Sequence, residues 1–287
     1  MCIRDRFTAG YGPSFGEALS GVLNLKLRRG RKTGGKIEMS MAGIELAIER
    51  KNLIISAGKS YTDLFYRIIY KLHGDTPWAF VSFPQTWWAQ GIKTFMFRNK
   101  IINLFTIFGG DFTGIRLPQE FGANILSGSK KGVCGINFVS KIKNLSIFSV
   151  ISWDYYYTSN EFTGGILKQW EKTTGYNARI RASIEFSKLL FETGLHLRIH
   201  EPSYYAYYPK DARGSEFWDP EFPHDTTFKD TQTLWLAGWG LVRLRLLGKV
   251  FFESGIYTSY LDYLKDNNKY IDPRMAILFM PYENYKI

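Results

Sequence analysis

Asn177-Ala178-Arg179-Ile180-Arg181-Ala182-Ser183-Ile184-Glu185-Phe186 places an apolar residue at every even position and a polar one at every odd position. Successive side chains of a strand point to opposite faces, so this stretch makes a ribbon with one apolar and one polar side. After Ser187-Lys188 the pattern resumes. Phe191, Thr193, Leu195, Leu197 and Ile199 share one face, and Glu192, Gly194, His196, Arg198 and His200 share the other. The pair predicts a tight hairpin whose strands reach the length that a tilted strand needs to cross a bilayer.

Similar polar turns recur on both sides of this hairpin, at Arg50-Lys51-Asn52, Arg98-Asn99-Lys100, Lys141-Ile142-Lys143-Asn144 and Leu247-Gly248-Lys249. Between one short turn and the next lie a strand, a longer polar or aromatic connection and a second strand. The longer connections are expected at 62–90, 110–120, 158–175 and 201–230. Ile37, Met39 and Met41 are odd whereas Ile44, Leu46 and Ile48 are even, so the chain turns or bulges at Ala42-Gly43. Short turns at one end and long loops at the other describe an all-β, antiparallel, up-and-down transmembrane barrel, here a partial one of about a dozen strands. A soluble sandwich has no reason to segregate its loop lengths. Proline cannot donate to a sheet ladder, and Pro13, Pro77, Pro84, Pro118, Pro202, Pro209, Pro220, Pro223, Pro273 and Pro281 are all expected outside the strands. Thr62 to Leu72 is the one helical candidate, with Leu64, Ile68 and Leu72 on one face as an amphipathic cap on the barrel mouth.

The composition agrees with this reading. Of 287 residues 45% are hydrophobic and 22% charged, which excludes general disorder. The longest apolar run, Leu234 to Val242, falls far short of a membrane helix. A mean hydropathy of −0.19 is what alternating strands give. Aromatic residues make up 17%, which favours strands and interfaces, and the net charge of +11 suits either nucleic acid or anionic lipid.

Motifs for chemistry are weak. Gly58-Lys59-Ser60 lacks the upstream glycine of a phosphate loop, since Leu53 stands there. His73, His196, His200 and His224 are too scattered for a metal site, and Cys2 and Cys134 are too few for a zinc cluster. No catalytic residue, metal ligand or cofactor is assigned, and no enzymatic activity is expected. The basic cluster Lys26, Arg28, Arg29, Arg31, Lys32 and Lys36 has no adjacent stacking aromatics and reads as a solvated linker, with no nucleic-acid partner expected. Within 201–230, the aromatic and acidic residues suit capture of a sugar-like or flat ligand from outside, and Tyr204, Tyr205, Tyr207, Tyr208, Trp218 and Asp219 are the candidate ligand-binding residues. The plainer alternative is an interfacial girdle that packs the loop on itself.

The run from Tyr11-Gly12 through Gly16-Glu17-Ala18-Leu19-Ser20-Gly21-Val22-Leu23-Asn24-Leu25-Lys26-Leu27-Arg28 resembles the end of the plug domain in TonB-dependent outer-membrane receptors. Ile54-Ile55-Ser56-Ala57-Gly58-Lys59-Ser60-Tyr61-Thr62-Asp63-Leu64 is similar to the family's early barrel pattern, with Gly58 and Lys59 in place of its usual basic pair. The resemblance covers residues 11–64. It implies a bacterial outer-membrane location and the first part of a barrel of about 22 strands. It also implies uptake of a scarce nutrient such as a ferric siderophore, cobalamin, haem or an oligosaccharide, driven by the TonB complex acting on an N-terminal segment. The other partners it implies are outer-membrane lipid and lipopolysaccharide. On this reading 7–33 is the end of the plug with its linker, and 34–287 is the truncated barrel. Met1-Cys2-Ile3-Arg4-Asp5-Arg6 resembles a translated sequencing adapter, so 1–6 is expected to be a non-native leader. Both ends are expected to be cut. The alternatives are a plug-less porin or adhesin barrel, and a soluble basic β-protein that binds glycan or nucleic acid.

Overall fold

The computed structural model describes residues 2–7, 22–26, 30, 33–40, 43–73, 80–116, 124–162, 167–210, 224–247, 250–262 and 268–279. Two short strands, β1 (Cys2–Phe7) and β2 (Val22–Lys26), pair with each other in a sheet of their own. All the others join one antiparallel sheet. These are β3 (Gly34–Met39), β4 (Gly43–Arg50), β5 (Leu53–Ser60), β6 (Phe80–Phe97), β7 (Lys100–Arg116), β8 (Asn124–Ile142), β9 (Leu145–Phe162), β10 (Leu167–Glu185), β11 (Leu189–Pro209), β12 (His224–Asp230), β13 (Thr233–Leu247), β14 (Val250–Leu261) and β15 (Lys269–Phe279). Each strand neighbours the next in sequence from β3 to β11. The lower part of β11 then pairs with β13 and its upper part with β12, so β12 and β13 together fill one place in the wall. The sheet therefore has a dozen places and two free edges, β3 and β15, among the described residues.

The hairpin read at 177–199 forms in the expected register, with Ile180 opposite Leu195 and Arg179 opposite His196. The phase flip near Gly43 is a hairpin: Ile37 faces Leu46, Met39 faces Ile44, and the Ser40 amide donates to the Gly43 carbonyl. Asn52 turns β4 into β5 with φ of 63°, a left-handed conformation that asparagine tolerates. Its amide donates to the Gly30 carbonyl, and its own carbonyl accepts from the Thr94 amide. Gly30 lies so close to this turn that a Cβ there would stand 2.1 Å from the Arg50 carbonyl oxygen, so only glycine fits. Among the described residues the chain upstream of the wall is thus stitched to it at Gly30.

Helix α1 (Thr62–His73) matches the periodic segment, with the Thr62 hydroxyl donating to the Pro84 carbonyl. Its Leu64, Ile68 and Leu72 are exposed.

Two expectations fail. Pro84, Pro202, Pro209 and Pro273 lie inside strands, each where a missing donor costs nothing. Pro84 sits where the β6–β7 register shifts between Ser82 and Gln85. Pro202 sits where pairing passes from β13 to β12, Pro209 ends β11, and Pro273 is on the edge strand β15. The long connections are also shorter than expected, because β7 runs on to Arg116, β9 to Phe162 and β11 to Pro209, and β10 begins at Leu167. Their outer ends mix polar and aromatic residues on both faces, which erases the alternation that marks a strand from sequence.

One face of the wall is apolar and bare. Ile48, Ile55, Leu104, Ile136, Ile151, Ile180, Leu195, Leu236, Ile256 and Ile277 all lie on it, and Ile151 is 69% exposed. Among the described residues the buried hydrophobic side chains are few, and four of them, Trp235, Ala237, Trp239 and Tyr257, form one cluster on the opposite face. A water-soluble sheet buries its apolar side and wets its polar side. This one does the reverse, as a wall between lipid and a polar interior must. On the apolar face, Trp87, Trp153, Tyr155, Tyr176 and Tyr260 stand about nine to eleven residues above their short turns, the span of a tilted strand across hydrocarbon. They form an aromatic belt at the level where such rings collect. Lys93, lower on the same face, lays its ammonium over the Phe95 ring at 5.7 Å near the short-turn end, where a long stem can reach water.

Candidate functional site

The inward face carries the polar chemistry, and the register places it residue by residue. On β10 and β11 the odd residues Asn177, Arg179 and Arg181 lie opposite the even residues Arg198, His196 and Gly194. On β13 the inward residues are Trp235, Ala237, Trp239 and Leu241, opposite Arg198, His196, Gly194 and Glu192. Arginines of β10 and β11 are therefore set beside tryptophans of β13.

Their contacts form a continuous sheet of cation, ring and carboxylate. The Arg179 guanidinium lies 4.7 Å above the Trp239 ring, and that of Arg198 lies 5.0 Å above Trp235. His196 meets Trp235 edge-on at 4.6 Å. The Trp239 indole N–H donates to Glu192 Oε1 at 3.2 Å, and Arg181 is 3.8 Å from the same carboxylate. Arg198 Nε donates to Asn177 Oδ1 at 2.9 Å, and the Asn177 amide donates to Asp154 on β9. Room for the Trp239 ring comes from Gly194, where a Cβ would stand 2.2 Å from the indole. On β13–β14, Arg243 donates twice to Glu253 Oε2, at 2.8 and 2.6 Å. Further round the wall the inward face also carries neutral hydrogen-bond chains. Buried Thr94 donates to Asn103 and Asn103 to Asn137, both at 2.7 Å, and Gln90 donates to Ser56 at 2.9 Å. The arrangement offers fixed donors and flat aromatic surface toward the interior. It brings together no nucleophile with a base, and among the described residues no three His, Cys, Asp or Glu side chains converge as metal ligands.

The candidate ligand residues divide. Tyr204, Tyr205, Tyr207 and Tyr208 are on β11 above the belt, in a strand and not in a loop. Tyr204 and Tyr208 share the inward face with His200, and the Tyr208 hydroxyl is 3.3 Å from that of Thr227 on β12. Tyr205 and Tyr207 face outward, and Tyr205 stacks on Trp170 with ring centroids 5.8 Å apart. Trp218 and Asp219 lie outside the described residues, as do Arg28, Arg29, Arg31 and Lys32 of the basic cluster. His196 and His200 are on the interior face as expected, though His196 packs on Trp235 and is only half in contact with solvent. The sequence reading missed Tyr257 on β14, and it missed Trp235 and Trp239 because Leu234 to Val242 is apolar on both faces and shows no alternation. Their signal is cross-strand: a run apolar on both faces beside one bearing Arg198 and His196. A cavity of about 640 Å³ opens on the outward face, lined by Ala182, Ile184, Phe191, Val242 and Ile256.

No protein-family model matches the sequence, and no curated protein matches it. Solved structures do. The outer membrane transporter YddB from Escherichia coli superposes with a TM-score of 0.64 at 12% identity, over 94% of this chain and 44% of that one. The fold is that of an outer-membrane β-barrel wall. Copper transporter OprC matches with a TM-score of 0.57 at 10% identity, over 90% of this chain and 44% of its own. The siderophore receptor PiuA from Acinetobacter baumannii matches at 0.54 and 11%, over 92% and 50%. The chain thus spans about half the length of each barrel protein it matches. The dozen-place open wall and the resemblance to TonB-dependent receptors read at residues 11–64 agree with that fold.

Proposed function

We propose that this chain is part of a TonB-dependent receptor of the bacterial outer membrane. It would import a scarce nutrient such as a ferric siderophore, cobalamin or an oligosaccharide, with no bond of the cargo made or broken. On this reading residues 7–33 end the plug and 34–287 begin the barrel. The observation that carries the proposal is the division of one wall into a bare apolar face, bounded by an aromatic belt, and an inward face of arginine, tryptophan and carboxylate. A passive pore needs only the first feature. Rings and cations held rigidly together suit a surface that must release and recapture a packed partner or a flat anionic cargo. Tyr204 and Tyr208, above the cluster on the same face, are the tyrosines best placed to meet cargo entering from outside, with Trp218 and Asp219 on the connection that follows.

The test is uptake by cells that carry the full-length gene, with iron complexes, cobalamin and oligosaccharides offered at limiting concentration. Growth on one of these cargoes that disappears when TonB is deleted is the expected result. Growth that survives the deletion means a passive barrel and overturns the proposal.

A further inference from the structure

The short turns repeat one dipeptide. Lys51-Asn52, Arg98-Asn99 and Lys143-Asn144 close the hairpins β4–β5, β6–β7 and β8–β9, and Ser187-Lys188 closes β10–β11. Each tip carries an exposed cation and no acid, and Arg50, Lys100 and Lys141 stand one or two residues away. The nearest acids along the chain, Glu49 and Glu185, are on the strands and face inward. Among the described residues none of these cations makes an ion pair. Lys143 keeps its charge at a φ of 49°, a left-handed conformation that glycine or asparagine enters more easily. Backbone bonds fix the spacing of the tips. The carbonyls of Asn52, Asn99, Asn144 and Lys188 accept from the amides of Thr94, Lys141, Glu185 and Arg245, at 2.8, 3.1, 3.0 and 2.8 Å, so each turn is tied to the hairpin that follows. Neighbouring tips are two strands apart, about 10 Å, and Lys51 to Lys188 spans an arc of about 30 Å along the rim.

A row of fixed cations without counter-charges fits an extended polyanion better than a folded protein or a lipid headgroup. Protein interfaces are built round buried aromatic or aliphatic anchors, and the turn dipeptides hold none. Headgroups lie beside the outward face, where only Arg50 and Lys100 of this set are placed. Lys141 is on the inward side, and Lys51, Arg98, Lys143 and Lys188 end the wall. On the outer-membrane reading above, this end faces the periplasm, where the cell-wall glycan carries peptide arms that end in carboxylates. We infer that the short-turn rim of β4–β11 is a docking surface for that polymer. Lys51, Arg98, Lys143 and Lys188 pair with its carboxylates, and the exposed Asn99 and Asn144 side chains hydrogen-bond its peptide groups. Each pair is weak, but pairs linked along one polymer bind together. The inference rests on the outer-membrane reading and adds a partner that is neither cargo nor lipid.

The experiment sediments the full-length receptor, in phosphatidylcholine nanodiscs, with isolated peptidoglycan sacculi. The variant Lys51→Gln/Arg98→Gln/Lys143→Asn/Lys188→Gln removes the tip cations and leaves at 143 a residue that tolerates the left-handed turn. Lys130→Gln/Lys172→Gln, toward the far end of the wall, is the control. Heat-resistant gel mobility checks that each folds, and Lys51→Gln/Lys188→Gln carries the same comparison if the combined variant does not. Expected is binding about tenfold weaker in the tip variant and unchanged in the control. Raising the ionic strength from about 0.01 to about 0.15 M cuts the screening length from about 30 to about 8 Å, below the tip spacing, and should bring wild type toward the variant. Sacculi with amidated carboxylates should bind wild type no better than the variant. Equal binding by wild type and tip variant overturns the inference, as does full binding to amidated sacculi. So does loss of sacculus binding when phosphatidylglycerol is added to the nanodiscs, which would give the rim to headgroups. Orientation is read separately, from an epitope inserted between Ser187 and Lys188 that antibody should reach only after the outer membrane is permeabilised. Staining of intact cells would sink the outer-membrane orientation itself, and the inference with it.

Discussion

The two halves of β10 make a useful contrast. From Tyr176 to Glu185 the strand alternates without a break, with Ile180 and Ile184 bare on one side and Arg179 and Arg181 on the other. From Leu167 to Gly175 it keeps the same ladder to β9 and β11, but Lys172 and Thr174 have replaced the isoleucines on the outer side. The backbone is continuous and only the solvent outside it changes. Strand formation here follows from pairing, whereas alternation records what lies against each face.

The sharpest way to break the contrast is a charge in the lower half. Ile180→Arg is expected to cost about 2–4 kcal/mol of bilayer-inserted stability, read as a lower urea midpoint for folding into vesicles and loss of heat-resistant gel mobility. Arg179→Ile keeps the outer face intact and is expected to assemble better than Ile180→Arg. Equal loss at both positions would remove the face assignment. A second, smaller effect belongs to the inward cluster: Gly194→Ala pushes on the Trp239 indole and is expected to cost about 1–3 kcal/mol, with tryptophan emission moving to the red as the ring loses Glu192. Asn177→Ala cuts the link from Asp154 to Arg198 and is expected to lower stability by about 1–2 kcal/mol, with the barrel still inserting normally. Smallest of all is Thr174→Ile in the upper half, within about 0.5 kcal/mol in the same titration. A clear gain in stability there would mean that the belt has been placed too low and that Thr174 lies in hydrocarbon.

The same contrast explains what could be read from sequence. Wherever lipid lies against one face, as at Ile180 and Leu195, strand, register and facing were all legible from residue order. The short turns were legible too, since Asn52 and Lys143 adopt the left-handed conformations that end a strand abruptly. The extensions to Arg116, Phe162 and Pro209 were not, because water on both sides imposes no pattern. This is why Tyr204 to Tyr208 looked like a loop. The prolines misled for a related reason: Pro202 and Pro273 need only one side of the strand to be free of a partner, and a sequence does not say which edges are shared. The inward cluster was half visible. His196 and Arg198 stood out on a polar face, but the tryptophans above which the cations sit belong to a run with no polar phase at all.

The stitch at Gly30 has a mechanical meaning. Two backbone hydrogen bonds in series, from Asn52 to Gly30 and from Thr94 to Asn52, fix where the upstream chain leaves the wall. A pull along the chain toward its N-terminus is therefore handed to the wall at the β4–β5 turn. Among the described residues the load arrives there through one glycine that no larger residue can replace.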